Sequence, residues 1–346
     1  MSTIDGDVPA LRWGVIGTGG IAGQFVADLE LLPTASVTAV GSRAQDTADR
    51  FGDRFGIGRR YPDWQQLVTD DGVDAVYVAT PHPMHHEAAL LAIEAGKAVL
   101  VEKAFTVNAV QAQELVDRAR ARGVFLMEAM WTRHLPHIAA IRSMLADGRL
   151  GELCTLTADH GQWFADDPNH RLFNPMLGGG ALLDLGVYPI SFASMVMGTP
   201  ERVMSMSDPA FTGVDGQVSI LLGYSGGRQA VLNTSLRGRS PIRADIVGTE
   251  ARIEIDSVWY APSHFTVIDR DGGRERFEFP HTGHGLRHQA AEVARCVSDG
   301  RLESELMPLD ETVSIMQLMD EIRSQGGYRL PGDSDSASMS ASGPAS

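Results

Sequence analysis

The sequence predicts an α/β fold in two parts: an N-terminal domain built on a parallel sheet, and a C-terminal α+β domain with an open-faced, mostly antiparallel sheet. Short apolar strands alternate with helical segments over about the first 130 residues, which is typical of a parallel sheet covered by helices on both faces. Beyond residue 133 the pattern changes to short β-rich runs separated by Gly, Pro and Asp. The change in pattern predicts where the two domains meet.

The N-terminal domain is predicted to alternate five strands with four helices. The strands are short and apolar, and the helices carry apolar residues at helical spacing. We expect the strands at 11–16, 37–40, 75–79, 98–101 and 124–127, and the helices at 21–32, 44–55, 85–95 and 109–122.

The C-terminal domain is predicted to begin with a helix, continue through its sheet and close with two helices. The helices are expected at 136–147, 288–297 and 310–324, and the clearest strands at 217–224, 229–236 and 251–255. The predicted limits are an N-terminal tail over 1–10, a first domain over 11–133, a second over 134–330 and a tail over 331–346. This last tail is rich in Ser, Gly and Ala. We expect it to be disordered, because it cannot bury enough apolar area to offset its ordering entropy.

Composition excludes several classes of protein. The chain of 346 residues has a net charge of −15 and no basic block, so a nucleic-acid partner is not expected. Its two cysteines, Cys154 and Cys296, are far apart, which argues against a disulfide framework and fits a reducing cytosol. We find no signal peptide and no apolar run near the roughly 18 residues that span a bilayer. The sequence therefore predicts a cytoplasmic protein with no membrane contact.

A glycine-rich turn follows the first predicted strand and opens the first predicted helix. It reads Gly17-Thr18-Gly19-Gly20-Ile21-Ala22, which is the G-x-G-x-x-A form of the dinucleotide fingerprint. Gly17 permits the tight turn, Gly19 lets the backbone approach a pyrophosphate, and the helix N-terminus offers free N–H groups to the phosphates. In this strand–turn–helix context the motif predicts a Rossmann domain. The alternative is a structural glycine turn.

The end of the second strand indicates which dinucleotide binds. A carboxylate there would bond the ribose 2′-hydroxyl of NAD, whereas this chain has Gly41-Ser42-Arg43. Arg43 can pair with a 2′-phosphate and Ser42 can donate a hydrogen bond to it. We therefore expect NADP as the cofactor, with NAD possible. The alternative is that Arg43 is an ordinary solvated side chain.

Two further segments carry candidate catalytic residues. Lys103, in Glu102-Lys103-Ala104, follows the fourth predicted strand, and ligands of parallel sheets bind outside the carboxyl ends of the strands. Asp184 and Tyr188 follow a run of three glycines and are four residues apart, so a helix would place both on one face. The alternatives are a lysine in a surface turn and a buried, satisfied acid–phenol pair.

Several histidines and their neighbours carry weaker signals. The cluster of His82, His85 and His86 lacks a Cys or carboxylate that would complete a tetrahedral site, so we predict no metal and favour a loop lining the cofactor. The residues just before the glycine run are expected to border a substrate pocket, the alternative being an exposed loop. These residues are His160, Trp163, His170 and Arg171.

Together these strings resemble the Gfo/Idh/MocA oxidoreductase family over about residues 10–325. The resemblance rests on residues 17–22, on Ala79-Thr80-Pro81 with His85, on Glu102-Lys103, on residues 128–133 (EAMWTR) and on residues 179–188 (GGALLDLGVY). The last two strings are most similar to the branch that contains dimeric dihydrodiol dehydrogenases and NADP-dependent D-xylose 1-dehydrogenases. The strings are specific to the family but not to one substrate.

The resemblance implies a function and a role for each matching residue. It implies reversible hydride transfer between NADP and a small polyhydroxylated substrate, such as an aldose at C1 or a cyclic diol. Lys103 would contact substrate oxygen and the nicotinamide ribose, Tyr188 would transfer the proton, and Asp184 would orient the substrate. The matching cofactor-binding residues are Gly17, Thr18, Gly19, Gly20, Ile21, Ser42, Arg43, Thr80, Pro81, His85, Glu102, Lys103, Trp131 and Arg133.

This chain departs from the family at one position, and the resemblance also implies how the subunits assemble. The family has a proline after the lysine, whereas this chain has Ala104, so the backbone that directs Lys103 departs from the family pattern. In this family two subunits commonly pair through their open sheets, which implies a homodimer or larger homo-oligomer formed by the second domain.

A Lys–Tyr pair is also sensible chemistry for oxidising an alcohol. The hydroxyl proton needs an acceptor, and a free phenol with a pKa near 10 is a poor base at neutral pH. An ammonium about 4 Å away could lower the pKa of Tyr188 by up to about 3 before desolvation opposes it. The rival hypothesis is a non-catalytic NADP-binding sensor on the same fold.

Overall fold

Residues 8–330 are described by the computed structural model. The predicted tail over 331–346 lies outside the described residues, and so does most of the tail over 1–10. The limits of 11–133 and 134–330 remain predictions, although the two predicted sheets are both present.

The first sheet has six parallel strands in the order β3-β2-β1-β4-β5-β6. This order reverses between β1 and β4, and a ligand crevice forms at such a reversal. The strands are β1 (Leu11–Ile16), β2 (Ala35–Gly41), β3 (Arg59–Tyr61), β4 (Ala75–Val78), β5 (Ala98–Glu102) and β6 (Leu126–Ala129). The helices between them are α1 (Gly20–Leu29), α2 (Gln45–Phe55), α3 (Trp64–Val68), α4 (His85–Glu94) and α5 (Ala109–Arg122).

One strand and one helix of this half were not predicted. Strand β3 has three residues, and helix α3 has five, so neither is long enough to show a periodicity. The predicted helix over 21–32 is also too long, since α1 ends at Leu29 and a turn follows. The other elements match within three residues at each end.

The second sheet has eight strands in the order β14-β13-β12-β11-β7-β10-β9-β8. Only the β7–β10 pair is parallel, so the prediction of a mostly antiparallel sheet is confirmed. The strands are β7 (Leu153–Gly161), β8 (Arg202–Pro209), β9 (Asp215–Gly223), β10 (Gln229–Ser235), β11 (Ala244–Gly248), β12 (Ala251–Ile255), β13 (Phe265–Asp269) and β14 (Arg274–Phe277). The helices are α6 (Pro136–Ala146), α7 (Val187–Met197), α8 (Arg287–Ser298) and α9 (Leu309–Gly326).

Strand β7 lies near the middle of this sheet and was not predicted. Its sequence is mostly polar, but Leu156, Ala158 and His160 alternate toward the buried face. That alternation is typical of a strand with one buried and one solvent-exposed face. It was overlooked because β7 lies before the β-rich region from which the second sheet was predicted.

Helix α7 packs against β7 and β10 on the inner face of the second sheet. With the turns before it, it forms a helical stretch over Pro175–Met197 that is long and apolar enough to cross a membrane, but 83% of its most apolar window is buried inside the protein. The prediction that no apolar run approaches the roughly 18 residues needed to span a bilayer is therefore wrong for this helical stretch. A helix that is apolar all round and buried in this way belongs to a protein core.

The two halves share one core. The buried apolar residues form a continuous cluster that runs from Trp13 in the first sheet to Phe265 in the second. Helix α9 contacts α5 and β6 on one side and α7 and β8 on the other, and the carboxylate of Asp320 accepts a hydrogen bond of 2.8 Å from the first amide of α5, on Ala109. These contacts fix the crevice between the sheets.

Candidate active site

The glycine turn lies between β1 and α1, at the carboxyl end of the first sheet. Gly17 has φ +105°, and a Cβ there would lie 2.5 Å from the Ala79 carbonyl oxygen, so only glycine fits. A Cβ on Gly19 or Gly20 would meet only open space, and among the described residues no side chain caps α1. The helix therefore presents uncapped N–H groups to the crevice.

A cavity of about 420 Å³ extends from this turn to α7. It lies between the two sheets and joins residues from both. Most of the predicted site residues line it: Gly19, Gly20, Ile21, Thr80, Pro81, His85, Glu102, Lys103, Asp184 and Tyr188. Gly17 and Thr18 form the turn at its edge.

The cavity fits a dinucleotide by its own chemistry. The uncapped start of α1 suits a pyrophosphate. The hydroxyl of Thr80 is buried without a hydrogen-bond partner among the described residues, and Thr80 lines the cavity. An unsatisfied buried hydroxyl at this position is available to a ligand.

Lys103 joins the two halves of the site. It follows β5, and its ammonium donates to the Asp184 backbone carbonyl at 2.9 Å and to Asp184 Oδ1 at 3.1 Å. The same ammonium lies 4.9 Å from the centre of the Tyr188 ring. The Lys103–Ala104 peptide is cis, and Lys103 reaches both partners with alanine in place of the family proline.

Tyr188 is buried in a shell of aromatic rings. Its hydroxyl accepts a hydrogen bond of 2.9 Å from the indole of Trp131, so Trp131 lies on the catalytic side rather than along the cofactor cavity. The rings of His160 and Tyr260 lie 5.2 and 4.7 Å from the Tyr188 ring. Tyr260 comes from the loop after β12, and no sequence signal pointed to it.

The local helix geometry at Asp184 differs from the prediction. An α-helical face was expected, but Leu182–Gly186 forms a π-helical turn that leads into α7. Gly180 precedes it with φ +126°, and a Cβ there would overlap the Asp215 carboxylate, which in turn accepts the Leu182 amide at 2.5 Å. Such turns are frequent at functional sites, and here the turn directs both the carboxylate and the carbonyl of Asp184 at Lys103.

Asp184 is held by two cations. Besides Lys103, the guanidinium of Arg171 donates to Asp184 Oδ1 and Oδ2, each at 3.0 Å. Burial opposes ionisation, but Lys103 and Arg171 outweigh it and hold the pKa of Asp184 well below its usual range. Burial likewise opposes the charge on Lys103, but Asp184 raises the pKa of that ammonium above its ordinary value. This cluster is therefore fully charged at neutral pH.

The pKa of Tyr188 is not lowered as we expected. Burial raises it to about 12, and the opposing effects of Lys103 and of the Trp131 hydrogen bond are smaller. The expectation underestimated the desolvation of the buried phenolate, which exceeds the opposing effect of Lys103. Tyr188 is thus a protonated phenol at neutral pH.

Glu102 lies deeper, beneath Lys103. Its carboxylate accepts hydrogen bonds from the hydroxyl of Tyr77 and from the Lys103 amide. Burial raises the pKa of Glu102 to about 7. Glu102 therefore lines the cavity and also anchors the backbone that carries Lys103.

Some predicted residues lie elsewhere. Arg133 does not line the cavity, because its buried guanidinium is occupied by Ser191 and by Glu311 at 2.6 Å. Arg43 is exposed beside a separate cavity of about 430 Å³, which Trp64 and Met84 also line, and Ser42 precedes it at the end of β2.

The weaker sequence signals divide in the same way. His160 and Arg171 belong to the site, whereas Trp163 is 58% exposed and His170 accepts the Leu172 amide within its own turn. His82 lines the cavity, with its Nδ1 3.3 Å from the Gly178 carbonyl oxygen. In the described part of the chain, no group of three or more His, Cys, Asp or Glu could hold a metal.

Comparison with known proteins places the chain in a family. Residues 11–130 match the model of an oxidoreductase family with an NAD-binding Rossmann fold, and residues 138–254 match the GFO/IDH/MocA C-terminal domain. The chain belongs to the Gfo/Idh/MocA oxidoreductase family. This confirms the predicted resemblance, the fold class, the class of enzyme and the nicotinamide dinucleotide cofactor.

Individual relatives cover nearly the whole chain. The chain is 36% identical over 336 residues to a trans-1,2-dihydrobenzene-1,2-diol dehydrogenase of Mus musculus, covering 94% of this chain and 99% of that one. It is 35% identical over 370 residues to a D-xylose 1-dehydrogenase (NADP(+)) of Hypocrea jecorina, covering 94% of each.

Solved structures agree on the architecture. A 3-ketoreductase from Actinomadura kijaniata, in complex with NADP and TDP-benzene, is 30% identical with a TM-score of 0.80, covering 92% of this chain and 98% of that one. An aldose-aldose oxidoreductase from Caulobacter crescentus has a TM-score of 0.83 over the same shares of the two chains at 22% identity, which supports the fold alone.

Proposed function

We propose that this protein is an NADP-dependent dehydrogenase that transfers hydride between nicotinamide and a CH–OH carbon of a sugar or cyclic diol, with Lys103 and Tyr188 handling the proton. One observation carries the proposal: the Lys103 ammonium lies 4.9 Å from the Tyr188 ring, at the end of a cavity that begins at the glycine turn. Relatives named as diol and D-xylose dehydrogenases support the substrate class.

Three side chains of the protein have separate roles in the proposed proton transfer. Bound NADP supplies the hydride acceptor or donor. Tyr188 donates its phenolic proton to the substrate oxygen during reduction and recovers it during oxidation. Lys103 favours the phenolate that exists between those steps, since burial alone would disfavour that charge. Asp184 holds Lys103 in place.

The raised pKa of Tyr188 predicts different pH profiles for oxidation and for reduction. Oxidation needs the phenolate, whose fraction rises about tenfold per pH unit while the pH stays below the pKa. Reduction needs the phenol, which is almost fully present at neutral pH. We expect kcat/KM for oxidation to rise with pH between about 6 and 9, and that for reduction to stay nearly flat. Initial rates in both directions test this, and a plateau of the oxidation profile below pH 8 would contradict it.

NADP is proposed over NAD because of the end of β2. Arg43 is exposed and makes no ion pair among the described residues, so its guanidinium is available to a 2′-phosphate. The acidic residue that would bind the ribose of NAD is absent from residues 41–43.

A substrate panel tests the proposed function. The purified protein is mixed with aldoses and cyclic diols, each with NADP and with NAD, and absorbance at 340 nm is followed. The proposal expects turnover of at least one substrate, faster with NADP. Binding of NADPH without turnover of any substrate would favour a non-catalytic sensor instead.

A homodimer through the second sheet is also proposed. The outer face of this sheet exposes large apolar side chains on neighbouring strands: Met204 (67%), Met206 (75%), Leu221 (40%) and Val231 (50%). An apolar patch of this kind is typical of a surface that another subunit covers.

A charge on this face should break the dimer. We expect Met206→Glu to shift the mass measured by light scattering from two chains to one, because the carboxylate would be buried without a partner. Val110→Glu is the matched control, since Val110 is 77% exposed on α5, a helix of the first half and not part of the second sheet. A variant M206E that keeps the wild-type mass would argue against this interface.

The protein is proposed to act in the cytoplasm. Cys154 and Cys296 are both free, which suits a reducing compartment, and the apolar helix at 175–197 is mostly buried.

A further inference from the structure

Arg171 enters the site from outside both sheets. It lies in the short 3-10 turn Arg171–Phe173, between β7 and the glycine run, and it lines the cofactor cavity. Its side chain is 56% exposed, yet two of its nitrogens are fixed at 3.0 Å from the two carboxylate oxygens of Asp184, which is 7% exposed. A planar fork on a carboxylate fixes the orientation of that carboxylate.

Asp184 Oδ1 is shared between two cations. It accepts from Arg171 at 3.0 Å and from Lys103 at 3.1 Å, while Oδ2 accepts from Arg171 alone. The bond from Lys103 therefore uses one oxygen whose direction Arg171 sets.

The charges beside Tyr188 do not cancel. Within the cluster of Lys103, Asp184 and Arg171, two positive charges and one negative charge leave a net charge of +1. Glu102, whose pKa burial raises to about 7, adds a partial negative charge from outside this cluster. Without Arg171, the remaining Lys103–Asp184 pair would be neutral. This neutral pair would stabilise the Tyr188 phenolate less than the three-residue cluster with its net positive charge does.

We propose that Arg171 is a positioning residue for the proton transfer: by occupying Asp184 it leaves the charge of Lys103 effective at Tyr188. It acts through Asp184 and Lys103 and exchanges no proton itself. The inference rests on the proposed function and deepens it, because it assigns control of the reaction to a side chain on an exposed loop.

Other groups also face Tyr188, and the charge of Arg171 acts on two of them, Lys103 and Glu102. Glu102 and Lys103 face it from the first sheet, and Trp131 donates to its hydroxyl. His160 from β7 and Tyr260 from the loop after β12 lie against its ring. A fall in oxidation without a matching fall in reduction in an Arg171 variant therefore reports the charge balance around Tyr188.

The test compares oxidation profiles between pH 6 and 10 for wild type, Arg171→Gln and Arg171→Lys. Below the pKa of Tyr188, log kcat for oxidation rises with pH along a line. The R171Q line should lie about one unit toward higher pH, so that kcat for oxidation is about tenfold below wild type at each pH. Reduction should change much less. The R171K profile should move by less than half as much, because lysine keeps the charge but loses the fork.

Arg12→Gln is the matched control. Arg12 makes a similar fork on Asp74, with distances of 2.9 and 2.6 Å, at the start of β1 and away from the cavity. The R12Q profile should coincide with that of wild type. Thermal unfolding checks that each variant folds, and R171K alone decides the test if R171Q does not fold.

Two results would overturn the inference. The first is an R171Q protein whose kcat for oxidation equals that of wild type, or falls no more than its kcat for reduction does. The second is an equal displacement in R12Q. An active wild type with either result overturns this inference alone, whereas a wild type with no turnover on the substrate panel overturns the proposed function and this inference with it.

Discussion

Replacing Tyr188 with phenylalanine is expected to lower turnover about 100-fold or more while leaving NADP binding nearly unchanged. The change removes only the hydroxyl, which accepts a hydrogen bond from Trp131, and keeps the ring beside Lys103. The ring stays packed against His160 and Tyr260, so the fold should be retained. Rates at 340 nm measure turnover, and quenching or enhancement of NADPH fluorescence measures cofactor binding.

Tyr224→Phe is the control for this experiment. Tyr224 is also buried, and its hydroxyl has no hydrogen-bond partner among the described residues, so its loss should leave turnover as in wild type. If the Y188F protein kept most of its activity, Tyr188 would not be the proton donor, and the Lys–Tyr relay would be abandoned.

The second large effect is expected where the chain would bind the 2′-phosphate of NADP. Arg43→Asp should lower the preference for NADP over NAD, measured as the ratio of kcat/KM values, by about 100-fold. The change removes a charge-assisted contact to the 2′-phosphate, and the new carboxylate repels that phosphate while accepting from the ribose of NAD. Steady-state rates with each cofactor at fixed substrate give the ratio.

Arg50→Asp is the matched control for that charge change. Arg50 is exposed on α2, where it pairs with Asp46 rather than lining the cavity beside Arg43. Its replacement should leave the ratio of the two cofactors as it is. An unchanged ratio in R43D would show that Arg43 does not read the 2′-phosphate.

Local patterns allowed much of the first sheet to be predicted. Its strands β1, β4 and β5 are mostly apolar and buried, and the turn at Gly17 has one local shape that requires glycine. Short stretches of sequence were therefore sufficient. Strand β7 was missed although its buried residues alternate, because it lies before the β-rich region from which the second sheet was predicted.

The site was harder to predict, because its contacts cross long stretches of chain. Lys103 and Asp184 are 81 residues apart, and Tyr260 reaches Tyr188 from a loop with no recognisable motif. Residues close in sequence can also point to different places. Trp131 and Arg133 lie in one 3-10 turn, which has about three residues per turn. They therefore point in different directions, one to Tyr188 and the other to Ser191 and Glu311.

A crystal structure with NADP bound tests the central claim most directly. We expect the pyrophosphate at the glycine turn before α1 and the nicotinamide ring between Lys103 and Tyr188. The ring should leave room for a substrate carbon about 3–3.5 Å from its reactive carbon and within reach of the phenol. A nicotinamide ring outside this cavity, or a Tyr188 hydroxyl turned away from it, would contradict the account.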